Sequence, residues 1–152
     1  MKKASLITLL LLIAVIASTA FIFSNSLKDQ ATSAADSEGI VKLVEQVAKK
    51  VYPENRVNWT VVVRKGAHLF EFFLLGLCSL SFAFRIKTKR WKQLGGTFLY
   101  SLLIASSDEF IQRFTGRGAS VGDVMIDFIG ASLGISFLWL ICFILRRRRK
   151  NP

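Results

Sequence analysis

Apolar residues fall into four long runs separated by short polar or basic stretches. The first, 6–23, is long and continuous enough for a membrane-spanning helix. Further spans are expected over 65–84, 93–112 and 124–145. Residues 24–58, between the first two, are polar and mixed in charge. Within them Ile40, Val41, Leu43, Val44, Val47, Ala48 and Val51 recur at helical spacing, with Lys42, Glu45, Gln46 and Lys50 opposite. The pattern predicts an amphipathic helix over about 36–52, opened by a capping box of Ser33 and Asp36 and stopped by Pro53. It lies either on the membrane surface or against the outer end of the bundle. The fold expected is an all-α membrane protein: four transmembrane helices and a short extracytoplasmic amphipathic helix, in one domain over 1–152.

Composition supports this class. Hydrophobic residues make up 52% of the chain, with 13 Phe but only 2 Pro, which favours apolar helices over a soluble fold. The net charge of +11 would suit nucleic-acid binding. Its placement argues against that partner. Lys2 and Lys3, then Arg85, Lys87, Lys89, Arg90 and Lys92, then Arg146 to Lys150, stand at the ends of apolar runs and hold more than half of the 21 Lys and Arg. Such blocks set topology, and they predict a multi-pass membrane protein with both termini in the cytoplasm. The basic tail would also attract anionic inner-leaflet lipid. Ser18-Thr19-Ala20 leaves a cleaved signal as the rival to a retained first span. Cys78 and Cys142 lie in apolar runs without a CxxC, as buried inert thiols would.

The stretch Arg64-Lys65-Gly66-Ala67-His68-Leu69-Phe70-Glu71 puts two cations, the single histidine and a carboxylate at the mouth of the second run. Arg64, His68 and Glu71 share one helix face. A rise of about 1.5 Å per residue sets Glu71 roughly 9 Å inside Lys65. It sets Asp108 about 6 Å inside Gln112, and Asp127 about 6 Å inside Asp123. Three spans thus carry ionisable groups to one depth near the outer face, where they need partners or water. Gly130 and Gly134 form a GxxxG, with Ala131 beside it, that continues the aspartate face and allows close helix approach.

The cluster admits two readings. A salt-bridge network would tie the helices together, with Asp123 and Arg117 joining the loop to the fourth span. Alternatively the residues line an outward-facing site. Arg64, Lys65 and Arg117 would then bind a lipid phosphate or other anion, with Glu109, Gln112, Asp123 and Asp127 beside them. His68 with Glu71 or Asp108 would form a proton-transfer pair and be the candidate catalytic set. No nucleophile motif accompanies them, and Ser106, Ser107 and Ser120 are too generic to assign. One histidine among carboxylates matches no standard metal spacing, so no metal is expected, and no cofactor or oligomeric state is specified.

Together the motifs resemble the VanZ-like membrane proteins. They read Arg64 to Glu71, then Asp108-Glu109-Phe110-Ile111-Gln112-Arg113-Phe114-Thr115-Gly116-Arg117, then Asp123 through Gly134, and the resemblance covers almost the whole chain. Phe23-Ser24-Asn25-Ser26 is similar to the family's FSxQ-type segment. Phe72 stands where Tyr is frequent, Asp127 where Asn is common, and Phe114-Thr115 where Pro often precedes the GR. Asp127 adds a negative charge where a neutral amide is usual. The resemblance implies work at the cell envelope and a link to glycopeptide resistance, teicoplanin above all, without implying a reaction. The partner expected is a membrane lipid or lipid-linked cell-wall precursor; the alternative is an intramembrane enzyme acting on a phosphate- or ester-containing lipid.

Overall fold

A computed structural model describes residues 2–51, 57–116 and 120–150. Five helices follow one another: α1 (Lys2–Ser26), α2 (Gln30–Val51), α3 (Trp59–Ala83), α4 (Arg90–Phe114) and α5 (Val121–Lys150). The helices at the expected spans run a few residues beyond the apolar runs, because polar residues at membrane-span ends continue the backbone ladder at little cost. Pro53 and Arg117 lie outside the described residues.

α3 and α5 make the most extensive contact in the bundle. The cause is the small-residue face. A Cβ on Gly130 would overlap the carbonyl oxygen of Leu69, one on Gly134 that of Phe73, and one on Gly76 that of Ala131. With only hydrogens there, the two backbones approach to contact, and dispersion between them replaces contact with lipid tails. Around this seam α1, α3, α4 and α5 bury Ile22, Phe72, Leu75, Ala105 and Ala131 in one cluster. Leu80, Ala83 and Ile135 form a second cluster nearer the other end.

The outer surface is apolar. Leu9, Ile13 and Phe21 on α1, and Ile129, Leu133 and Phe137 on α5, are all exposed. An apolar surface this extensive belongs in lipid. By length and composition three helices are able to cross a membrane, α1, α3 and α5. The expectation of four such spans is therefore corrected: α4 is as long as α3 but too polar to qualify. Lys92, Ser106, Ser107 and Arg113 are exposed, but many of its polar residues are not. Gln93, Thr97, Ser101, Asp108, Glu109 and Gln112 form a stripe facing the bundle interior and are all buried. Leu99, Leu102, Leu103 and Phe110 face outward. Average hydropathy does not see this inverted arrangement.

α2 begins at Gln30, ahead of the expected start, because its N-cap is Asp29 and not the Ser33–Asp36 box. The Asp29 carboxylate accepts the Thr32 backbone N–H at 2.7 Å. Asp36 instead pairs with Lys28 at 2.7 Å, across the junction from α1. That capping bond holds the Asp29 carboxyl below its ordinary value of 3.8. The carboxylate's contribution is thus present above the unfolded-state value and fades as pH falls through the lower folded-state value. Protection of the Thr32 amide, corrected for intrinsic exchange, is expected to be strong at neutral pH. It should decline below about pH 3.8 and be lost at all pH in Asp29→Ala. α2 packs on α3 and buries Val41. Ile40, Leu43 and Val47 remain exposed, so the protein covers only part of its apolar arc. Cys78 and Cys142 are free thiols, half-buried and not fully buried as expected.

Candidate functional site

The end of α1, the start of α3, the end of α4 and the start of α5 meet at one end of the bundle. Asp108 on α4 is the hub. It is fully buried, and its Oδ1 accepts from the Ser26 hydroxyl in a short hydrogen bond. Gln112, one turn on, donates from Nε2 to Asp108 Oδ2 at 2.7 Å. The Thr115 hydroxyl, just past α4, reaches the Ser26 carbonyl at 3.2 Å. Gly116 then reverses the chain with a φ of +72°, which glycine adopts without strain.

His68 projects from α3 toward both aspartates. Its Nδ1 lies 3.8 Å from Asp108 Oδ2 and 3.9 Å from Asp127 Oδ1. These are ion-pair separations, too long for hydrogen bonds. One donor atom from each of the three residues lies within 4.8 Å of the others. Asp127 is 2% exposed, so a carboxylate sits where the resemblance would place a neutral amide.

The other candidates divide by partner. Glu71 turns toward α1, where its Oε1 accepts from Asn25 Nδ2 at 2.9 Å. Glu109 is buried and accepts the Ser120 backbone N–H in a short hydrogen bond, which fastens the turn before α5. Lys65 pairs with Asp123 at 2.8 Å, linking α3 to α5. Glu109 thus ties the residue before α5 back to α4, and Asp123 spans two helices; its expected loop partner, Arg117, lies outside the described residues. Arg113 is exposed, outside the cluster.

Arg64 differs from these. It is half-buried, and no hydrogen bond or ion pair joins it to any described residue. It lines three adjoining spaces. The smallest, about 10 Å³, lies among Lys65, His68, Glu109, Gln112, Asp123 and Asp127. A second, of about 320 Å³, opens between α1, α2 and α3, with Asn25, Lys28, His68 and Glu71 beside apolar Phe21, Ile40, Val63 and Ala67. The third, about 230 Å³, adjoins it along Ser33, Ser37, Asn58 and Thr60. The arrangement offers an anion a half-buried guanidinium at the edge of an amphipathic cavity whose wall also carries an imidazole and the carboxylates of Asp36 and Glu71.

Two site residues carry no functional signal in the sequence. Ser26 and Asn25 hold Asp108 and Glu71 from α1, and their only pointer is the Phe23–Ser26 segment. Helix spacing pairs His68 with Glu71 or Asp108, whereas the fold gives it Asp127 as a second acid.

A family model described as VanZ/LLP1 matches residues 7–145. No curated protein matches the chain, and no solved structure does.

Proposed function

Because the chain belongs to the VanZ/LLP1 family, a family matched across nearly its full length, we propose that it is a cell-envelope membrane protein that binds a phosphate-bearing lipid headgroup. The observation that carries this reading is Arg64: a half-buried guanidinium with no anion among the described residues, at the rim of a cavity part polar and part apolar. Burying a cation without a partner is costly, and a phosphate oxygen pair suits a guanidinium fork. Lys28 stands on the same wall already paired with Asp36, which leaves Arg64 as the cation for the headgroup, and the exposed Ile40, Leu43 and Val47 of α2 would settle at the level of lipid headgroups.

The reading places α4 across the bilayer as a fourth span, its polar stripe sheltered by α1, α3 and α5. Both termini then lie in the cytoplasm and the site near the outer face. The exposed Arg146, Arg147 and Arg148 would meet anionic inner-leaflet lipid. A lipid-linked cell-wall precursor is one such ligand, and holding it would alter glycopeptide susceptibility.

The test is mass spectrometry of lipids that stay with the detergent-purified protein. A phosphate-bearing lipid should be enriched over the bulk membrane composition, and Arg64→Ala should lose that enrichment while remaining folded. Lipid composition equal to bulk in both proteins would dispose of the reading.

A second reading has its own observation. His68 lines the amphipathic cavity and also faces Asp108 and Asp127. An imidazole oriented by carboxylates is able to act as a general base on a phosphate or ester bond. His68→Gln separates the two readings: a binding protein keeps its lipid and its phenotype, whereas an enzyme keeps the lipid and loses the phenotype.

A further inference from the structure

We propose that His68, Asp108 and Asp127 hold one divalent first-row metal ion at the base of this site. The inference stands without the lipid reading, because its ligands and its test concern the protein and the ion alone.

Three observations converge. The donor atoms come from three helices, α3, α4 and α5, and all lie within 4.8 Å of one another. Metal–ligand bonds of about 2.0–2.2 Å put donors roughly 3.0–4.2 Å apart around one ion. The 3.8 and 3.9 Å separations fall in that range, and the Asp108–Asp127 pair, within 4.8 Å, is no more than about 0.6 Å outside it. Next, Asp127 is 2% exposed yet makes no hydrogen bond to a described residue; its sole ion partner among them is the His68 imidazole at 3.9 Å. A carboxyl group so placed needs either a proton or a counter-charge, and a metal ion supplies the latter. Finally, a cavity of about 10 Å³, room for one water or one ion, is lined by His68 and Asp127.

The surroundings suit a cation. Ser26 and Gln112 each donate to one oxygen of Asp108, which fixes the carboxylate and leaves lone pairs for a metal. Lys65 is neutralised by Asp123. Arg64 lines the same cavity, but the buried carboxylates of Asp108, Glu109 and Asp127 outnumber it. Two carboxylates and an imidazole suit Mn²⁺ or Zn²⁺ and leave coordination positions free for water or an anion. Local spacing did not show this set because its members lie far apart along the chain.

Mn²⁺ is the probe, added to chelator-treated full-length protein in detergent. Electron paramagnetic resonance should show one tightly bound Mn²⁺ per chain, displaced by Zn²⁺, with hyperfine coupling to a histidine nitrogen. His68→Gln should abolish the coupling, and Asp127→Asn should weaken binding roughly tenfold or more. Thermal unfolding adds a signed readout. In chelator, Asp127→Asn should be at least as stable as the parent, since it removes one of several crowded negative charges. In Mn²⁺ the parent should gain stability and Asp127→Asn should not. No bound Mn²⁺ at millimolar concentration, binding without nitrogen coupling, or equal stabilisation of both proteins would each overturn the proposal. The nitrogen coupling is read on the parent protein, so it decides between these outcomes even if a variant fails to fold.

Discussion

Gly130→Leu is expected to prevent the bundle from assembling. A single Cβ at this position already overlaps the Leu69 carbonyl, which belongs to a helix backbone and cannot rotate aside. Overpacking by a methyl or two in a tight core costs about 1–3 kcal/mol. Here the whole of α3 must move away from α5, so leucine should exceed that range. Gly134→Leu should behave alike through the Phe73 carbonyl. Gly95→Ala is the control, because a Cβ there meets nothing within 4 Å. It should be neutral or stabilising by about 0.5–1 kcal/mol, the usual difference between glycine and alanine in a helix. Size-exclusion profiles and resistance to SDS unfolding would rank the three. A Gly130→Leu protein as resistant as the parent would mean that α3 and α5 do not touch as described.

The second large effect is expected at Asp108. Asp108→Ala leaves the Gln112 amide without its acceptor and the Ser26 hydroxyl with the Ile22 carbonyl at 3.1 Å alone. Hydrogen bonds to a charged group contribute about 1.5–3 kcal/mol each, and removing one member of a buried charged set costs about 3–5 kcal/mol. A loss in the latter range is expected, with Asp108→Asn intermediate because an amide oxygen still accepts from one donor. Glu71→Gln should cost far less, since the amide oxygen still accepts from Asn25. The two variants therefore separate the hub from its periphery in a single denaturation series. Equal loss at the two positions would show that the site is held by its overall charge and not by Asp108.

The all-helical fold and the gathering of charge at one end are legible in the sequence because each rests on local periodicity. Apolar runs fix where helices lie, and a count of rises along each helix brings Glu71, Asp108 and Asp127 to one level. The Gly130–Gly134 seam is legible for the same reason. What escapes depends on which way a face points. By composition α4 is too polar to pass as a span, and only its packing reveals that Gln93, Thr97 and Ser101 turn inward with the acids. The cap at Asp29 is hidden because Ser33 and Asp36 offer the more familiar spacing. Asn25 and Ser26 give no chemical cue. Their role comes from α1 ending beside Asp108, a relation between distant segments that no window of sequence contains. The second acid at His68 escapes likewise, since Asp127 reaches it from another helix.

The inward stripe of α4 also bears on how the protein is made. A segment entering lipid alone would carry Gln93, Thr97, Ser101, Asp108, Glu109 and Gln112 into hydrocarbon without the neighbours that shelter them. On the proposed reading that α4 spans the bilayer, its crossing is therefore a joint event. α4 would remain at the insertion machinery, or at the aqueous boundary, until α5 has emerged to join α3, and the two would enter as a hairpin. Nascent chains truncated before α5 should fail to thread α4, leaving whatever follows it on the side where synthesis began.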